Sequence, residues 1–468
     1  MEFRREHRGT REIVNVVVAL GLVLGVAGKA SAQPVGTLTQ LPRPDACTQL
    51  GGDGINCRDG VGLDGAMDVA VSPDGKSVYV AGFNDNALAI FSRDPASGAL
   101  TQLAAPNGCI ADSGDGVACQ DGLGLYGPSG VTVSPDNAHV YVASYASGLT
   151  VFVRDVVTGA LTQLPAPDGC IAESGGGASG CTDAYGPMSP TTVLVSPDGK
   201  FVYTLALNGD AIGVFARDKA TGKLTQLAAP EGCLSTTGDG VTCKSALAIE
   251  SPRDLSISKN GKHLYVAAND SNAVAIFKRN QATGALTQPD APNGCVANDG
   301  DGVTCTAGIG LEAPSSVLVG KNGKHVYVAS YASDALTIFS RNSATGALTQ
   351  LAGAAGCHDE SGDGVTCTDA VALNGARDLA ESNNGRHIYV ASILSSGVAS
   401  FRRDKTSGEL EQLYFPNACT IATGDNVLCR PGLALANTRA VAVTRNGKHA
   451  YVASFGADGV AVFSRKRN

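Results

Sequence analysis

Two Arg-Asp dipeptides, Arg253-Asp254 and Arg377-Asp378, occupy one slot of a long internal repeat. The same slot holds Met67-Asp68 and Arg439-Ala440, whereas the other copies carry Ser129-Gly130, Thr191-Thr192 and Ser315-Ser316. Clustered arginines can clamp a carboxylate or phosphate through paired N–H donors, and a carboxylate beside them can take a proton from water. The competing reading pairs these arginines and aspartates as salt bridges between neighbouring repeats. Phe83, Tyr145, Tyr331 and Phe455 recur shortly downstream. They suit an aromatic rim for a sugar or peptide, or equally a set of hydrophobic plugs.

The elements that must position these residues follow from the repeat. Tyr79, Tyr141, Tyr203, Tyr265, Tyr327, Tyr389 and Tyr451 each recur after 62 residues. Seven copies at one spacing define the architecture before any local reading. In the first copy, alternating apolar residues mark strands over 67–73, 77–82, 87–93 and 99–103, separated by Asp/Gly/Pro turns. Helical periodicity is absent after the N-terminal segment. This predicts an all-β, seven-bladed β-propeller of four-stranded blades. The last copy stops after its third strand, in Val-Ala-Val-Phe-Ser-Arg-Lys-Arg-Asn (460–468), and residues 36–41 (Gly-Thr-Leu-Thr-Gln-Leu) read as an orphan fourth strand. The N-terminal strand is therefore expected to join the C-terminal blade and close the ring, which removes two exposed edges.

Residues 1–32 combine Arg4, Arg5, Arg8 and Arg11 with an apolar run and an Ala30-Ser31-Ala32 end. They read as a secretory signal, with 33–468 as a single propeller domain in a secreted, periplasmic or cell-surface setting. The apolar run is too short and too interrupted to span a membrane. Without this segment the chain carries 30 basic and 40 acidic side chains, a net charge of about -10. No basic stripe stands out in that sum, which argues against nucleic acid or an anionic membrane as partner. A monomer is expected, with a small ligand or a protein as its partner.

The segments Ser-Pro-Asp-Gly-Lys-Ser-Val-Tyr-Val-Ala (72–81) and Ile-Phe-Ser-Arg-Asn-Ser-Ala-Thr-Gly-Ala-Leu-Thr-Gln-Leu (338–351) resemble repeats of the seven-bladed lactonase-like family, also met as YVTN-type surface propellers. The resemblance covers residues 36–468. It implies the propeller fold and a relation to enzymes that process lactones of sugar and aromatic-acid metabolism. No catalytic residue of those enzymes matches a position here.

Fourteen cysteines form seven close pairs: Cys47/Cys57, Cys109/Cys119, Cys170/Cys181, Cys233/Cys243, Cys295/Cys305, Cys357/Cys367 and Cys419/Cys429. An even count at repeating spacing in an exported chain implies disulfides. Pairing within each loop is favoured over chaining from loop to loop, because a Gly-Asp-Gly turn brings the two arms together. Each loop is expected to link the fourth strand of one blade to the first strand of the next. Thiolate zinc fits poorly outside the cell. Calcium is the competing reading for the most acidic loops, through Asp112, Asp299, Asp301, Asp359 and Glu360. A tight turn shaped by Gly and Asp explains the same residues without a metal or other cofactor.

If each first strand descends from a cysteine loop, the Ser-Pro-Asp-Gly-Lys and Arg-Asp-Xaa-Xaa-Thr-Gly turns share one face. The cysteine loops and the loops between second and third strands share the other, where the channel mouth is the natural ligand site. His139, His263, His325, His387 and His449 precede the repeat tyrosine and read as surface residues at strand starts. His358 reads as a solvated loop residue. The chain has no Ser nucleophile elbow, no HExxH and no phosphate-cradling loop ahead of a helix. High regularity favours an exported module that binds a ligand or partner through the cysteine-loop face. The alternative is a lactonase-like hydrolase with Asp68, Arg253, Asp254, Arg377, Asp378 and Arg439 at the channel mouth.

Overall fold

Each copy of the repeat folds as one blade, because every strand has an apolar face that only its neighbours can cover. The computed structural model of the chain describes residues 33–173, 180–186, 189–360, 362 and 364–467. The expected leader at 1–32 lies outside them. In blade one, Ala66–Val71 lines the channel, and Ser77–Gly82 and Ala87–Arg93 follow outward in antiparallel order. First strands of adjacent blades touch around the channel, which fixes the inside of the ring. The apolar core lies between blades: Tyr79, Leu88 and Ile90 pack on Val131, Val140 and Phe152 of the next blade.

The blades are wider than the sequence suggests. Ala87–Arg93 pairs with Leu100–Gln102 at one end and with Cys109–Asp112 at the other, and Gln120–Gly122 adds a parallel edge. Each sheet therefore holds six strands, not four. The two extra strands escaped the reading because they span only two to four residues and lack apolar alternation.

All seven disulfides close within their own loops, as expected: Cys47–Cys57, Cys109–Cys119, Cys170–Cys181, Cys233–Cys243, Cys295–Cys305, Cys357–Cys367 and Cys419–Cys429. Their Cα atoms lie 4.8–4.9 Å apart. Their place in the fold corrects the expectation. The first cysteine of each pair opens a short strand of the blade. The second, Cys57, Cys119, Cys181, Cys243, Cys305, Cys367 or Cys429, stands one residue ahead of the parallel edge strand. Each pair thus belongs to the outer half of a sheet, and Cys109 sits opposite Ala89 there. The loops decorate the circumference and not the channel mouth, because the added strands carry them outward. The edge position also exposes the pairs unequally. All seven first cysteines are buried, as are Cys57, Cys305, Cys367 and Cys429, whereas Cys119, Cys181 and Cys243 are half-buried. Seven such bonds suit an oxidising compartment.

Ring closure takes three N-terminal strands. Leu38–Gln40 and Cys47–Leu50 both pair with Gly459–Arg465, and Arg58–Gly60 completes the edge.

A polar network locks the lower ends of the blades. Arg154 donates through Nε to Tyr79 Oη at 2.8 Å, and Tyr79 Oη donates to the Gly159 carbonyl at 2.8 Å. The pattern crosses the closure: Arg93 donates to Tyr451 Oη, which donates to the Gly98 carbonyl. Histidines belong to this network, which corrects their expected surface role. His139, His263, His325, His387 and His449 are 1–4% exposed. Each turns Nδ1 toward an arginine of the next blade, as His263 does toward Arg341 at 2.6 Å. Their imidazoles must be neutral to accept there, and burial holds His263, His325, His387 and His449 at about 4. His358 is likewise buried, edge-on to Phe401 and donating through Nε2 to the Leu410 carbonyl at 3.1 Å.

Candidate functional site

A β-bulge at the start of each first strand builds the upper mouth of the channel. In blade four Pro252 faces Ala268 and Asp254 faces Ala267, so Arg253 is the residue with no partner across the ladder. The same shift occurs at Met67, Arg377 and Arg439. A bulge re-aims side chains, and here it turns successive residues toward one space.

The three aspartates bridge blades through the backbone. Asp68 accepts the Val131 N–H at 2.7 Å, Asp254 the Val317 N–H at 2.9 Å, and Asp378 the Val441 N–H at 2.7 Å. The expected Arg–Asp salt bridges between repeats do not form in this slot. Among the described residues, the buried arginine–carboxylate pairs lie on the lower face instead. Arg253 and Arg439 each keep a buried Nε without a partner.

The two charge sets act on each other inside the channel. Burial, reinforced by Asp254 and Asp68, pushes the Asp378 carboxyl up to about 7. Burial raises Asp68 to about 6 despite its bonds from Val131 and Val69, and it raises Asp254 too. Arg377 is drawn down to about 10 by burial and by the neighbouring Arg253 and Arg439. At neutral pH the channel thus mixes guanidinium groups with a carboxyl poised between its two protonation states.

Aromatic rings border one side of this cluster. Phe455, Phe83 and Tyr145 form an arc, with centroids 6.5 Å and 6.3 Å apart. The Arg439 guanidinium lies 5.2 Å from the Phe455 ring centre, and the Tyr331 hydroxyl acts electrostatically on the same arginine. Phe455 rests on Gly65, where a Cβ would lie 2.9 Å from the ring, and Phe83 rests on Gly127. The rings therefore both wedge blades and face the mouth.

The family model described as "Lactonase, 7-bladed beta-propeller" matches residues 178–295 and 358–468. The chain belongs to this lactonase-like family. Both matched segments contain Arg-Asp dipeptides of the channel mouth, Arg253-Asp254 and Arg377-Asp378. No curated protein matches the lactonase-like chain. Among solved structures, a "putative 6-phosphogluconolactonase" of Bacteroides fragilis is 22% identical, with a TM-score of 0.51 over 74% of this chain and 82% of that one. A protein from Lactobacillus plantarum is 18% identical, with a TM-score of 0.51 over 78% and 86%. Hydrazine synthase of Kuenenia stuttgartiensis is 16% identical, with a TM-score of 0.50 over 88% and 99%. These likenesses are likenesses of fold.

Ser316 is a member of the lactonase-like propeller's mouth that the sequence reading passed over. Its hydroxyl donates to Asp254 Oδ2 at 2.8 Å and lies 3.4 Å from Asp378 Oδ1, joining two blades. Its slot, shared with three aspartates, was the available signal. Asp270 acts on Arg253 from the next loop, and Asn208 donates to Tyr145 Oη at 3.0 Å.

The calcium candidates do not meet at a point. Among the described residues no three of His, Cys, Asp and Glu gather in a metal-holding group. Asp301 caps its own turn, accepting N–H groups of Thr304 and Val303 at 2.7 and 2.9 Å, which hold it at about 2. Asp112 accepts the Gly124 and Leu125 N–H groups, and Glu360 those of Leu373 and Asn374. Asp299 lies beside Asn298, 3.2 Å from its amide, and Asp359 lies in the strand Cys357–Asp359.

Proposed function

We propose that the protein hydrolyses a lactone at the upper channel mouth, with Asp378 as general base and Arg253, Arg377 and Arg439 as the cationic clamp. One observation carries the reading: Asp378 sits near neutrality in the same channel as arginines whose buried Nε atoms have no partner. In the ring-opening step a water oxygen bonds to the lactone carbonyl carbon while Asp378 takes its proton. The guanidinium groups stabilise the oxyanion, the acyl C–O bond breaks, and the proton passes to the departing alkoxide. Family membership supports this class of substrate. The aromatic arc suits a ring-shaped ligand.

A module that only binds through the cysteine loops has less support, since those loops lie at the circumference, away from the charged channel. A hydrolysis screen over aldono- and aromatic-acid lactones separates the two. We expect turnover of at least one lactone, falling by about a hundredfold or more in Arg377→Ala and Arg253→Ala. Failure to hydrolyse any lactone, or unchanged rates in both variants, would overturn the proposal.

We further propose export by a leader at 1–32, action as a monomer and no metal requirement. The cysteine loops are closed by disulfides and by turns that use their own carboxylates. Thermal unfolding should give the same midpoint with and without a calcium chelator. A lower midpoint in chelator would reinstate calcium at the acidic loops.

A further inference from the structure

The turns between first and second strands all project on the lower face, and their charges split the ring in two. In blades one to three they read Ser-Pro-Asp-Gly-Lys, Ser-Pro-Asp-Asn-Ala and Ser-Pro-Asp-Gly-Lys. Blades four to seven read Ser-Lys-Asn-Gly-Lys, Gly-Lys-Asn-Gly-Lys, Ser-Asn-Asn-Gly-Arg and Thr-Arg-Asn-Gly-Lys. The first three turns hold three carboxylates and two lysines, and the last four hold seven cations and no carboxylate. Proline has given way to Lys259, Lys321 and Arg445, while aspartate has become asparagine throughout.

This half-ring is accessible, and the carboxylate nearest to it is already occupied. Lys259, Lys262, Lys321, Lys324 and Arg445 are exposed. Burial lowers Lys321 and Glu381 beside it favours its charge, while Arg445, Arg465 and Lys259 all lie close enough to disfavour that charge. Glu381, at the end of blade six's first strand, is 6% exposed and pairs with Arg403 at 2.7 Å. On the acidic side Asp74, Asp136 and Asp198 are likewise engaged, with Arg154, Arg217 and Arg279. The neighbouring lower turns repeat the split: blades one to three carry Asp94, Asp155 and Asp218 where blades four and five carry Asn280 and Asn342. Blade six keeps Asp404, next to Lys405. A net of about -10 over residues 33–468 hides all of this, so the expectation that no basic stripe exists was drawn from the wrong quantity.

We propose that the lower face over blades four to seven docks on an anionic membrane surface, leaving the upper mouth open to solvent. The cations sit at one level on successive blades, which suits mobile lipid headgroups that need no fixed register. The aromatic rings that would stack on bases or sugars are at the opposite mouth. Of the exposed large apolar side chains described, Val156 and Val157 stand on lower turns of blade two, and Tyr414 of blade six borders a cavity with Arg386, Lys405 and Thr406. With seven cations and no carboxylate in its four turns, this face binds chiefly by charge and is salt-sensitive, each Lys or Arg contributing about fivefold near an anionic surface.

The test is sedimentation of the full chain with phosphatidylglycerol–phosphatidylcholine vesicles against phosphatidylcholine alone. We expect binding to the anionic vesicles at low salt, weakened at least about tenfold by high salt and lost in Lys259→Glu/Lys324→Glu/Arg445→Glu. The exposed pair Lys262→Glu/Lys324→Glu, with an unchanged melting midpoint, guards against a folding defect. Lys76→Glu/Lys200→Glu, on the other half of the ring, should bind like wild type. No binding to anionic vesicles at low salt, or equal binding by the triple variant, overturns the proposal. Retention on immobilised DNA or heparin without vesicle binding also overturns it, in favour of a soluble polyanion. None of these outcomes depends on lactone hydrolysis.

Discussion

Asp378→Asn should lower kcat/KM for lactone hydrolysis by about a hundred- to ten-thousandfold while raising the melting midpoint at pH 8. The two effects have one origin. Burial and the repulsion of Asp254 and Asp68 lift the folded-state carboxyl from its ordinary range near 3.8 to about 7. A raised carboxyl stabilises the fold fully below the unfolded value, and that contribution is lost as pH rises through about 7. At pH 8 wild type therefore holds a buried charge that asparagine does not. Asparagine retains a carbonyl for the Val441 N–H, so the bridge between blades six and seven survives. A base works only when deprotonated, so wild-type kcat/KM should climb through about pH 7. An Asp378→Asn protein with wild-type rates, or one destabilised at pH 8, would remove Asp378 from the mechanism.

Arg403→Ala should destabilise the protein by about 3–5 kcal/mol, because it strands a buried carboxylate. Arg403 is 3% exposed and donates to Glu381, Asn322 and the Gly385 carbonyl at 2.7, 2.7 and 3.1 Å, as well as to Tyr327. Glu381 stands where the other blades carry Val71, Val133, Val195, Ile257, Val319 and Val443. Adding Glu381→Val to Arg403→Ala should therefore restore a large part of the loss, since no charge is left unpaired. Arg341→Ala, whose arginine faces His263 and Tyr265, should cost less. Urea midpoints across these variants measure the coupling. A double variant no more stable than Arg403→Ala would refute the buried-charge explanation.

Much of this molecule is legible in its sequence, for reasons that differ from part to part. The 62-residue interval reports the number of blades directly, and the orphan strand at 36–41 reports closure. The pairing of Cys109 with Cys119 and its six counterparts was readable from spacing, because a ten- or eleven-residue loop leaves few other partners. Their place was not, because the strands that carry them span two to four residues and show no periodicity. The histidines looked superficial because their arginine partners lie a blade and more away in sequence: His263 meets Arg341, 78 residues on. The channel mouth was visible as a slot where blades disagree, and its acid–base character was not. The value near 7 at Asp378 arises from burial in the channel, reinforced by Asp254 and Asp68, which blades four and one contribute. The basic half-ring was written plainly in the turns and vanished only on summation.

The way the ring is closed also sets an order in time. Residues 38–60 are synthesised some four hundred residues ahead of the strand that holds them, Gly459–Arg465. Until it appears, the opening segment has no ladder partner and blade seven has no outer half. The Tyr451–Gly98 and Tyr389–Gly36 hydrogen bonds must wait with it. Completion of the ring thus waits until blade seven has been made. A chain that cannot finish folding early stays threadable, which fits the export proposed for it.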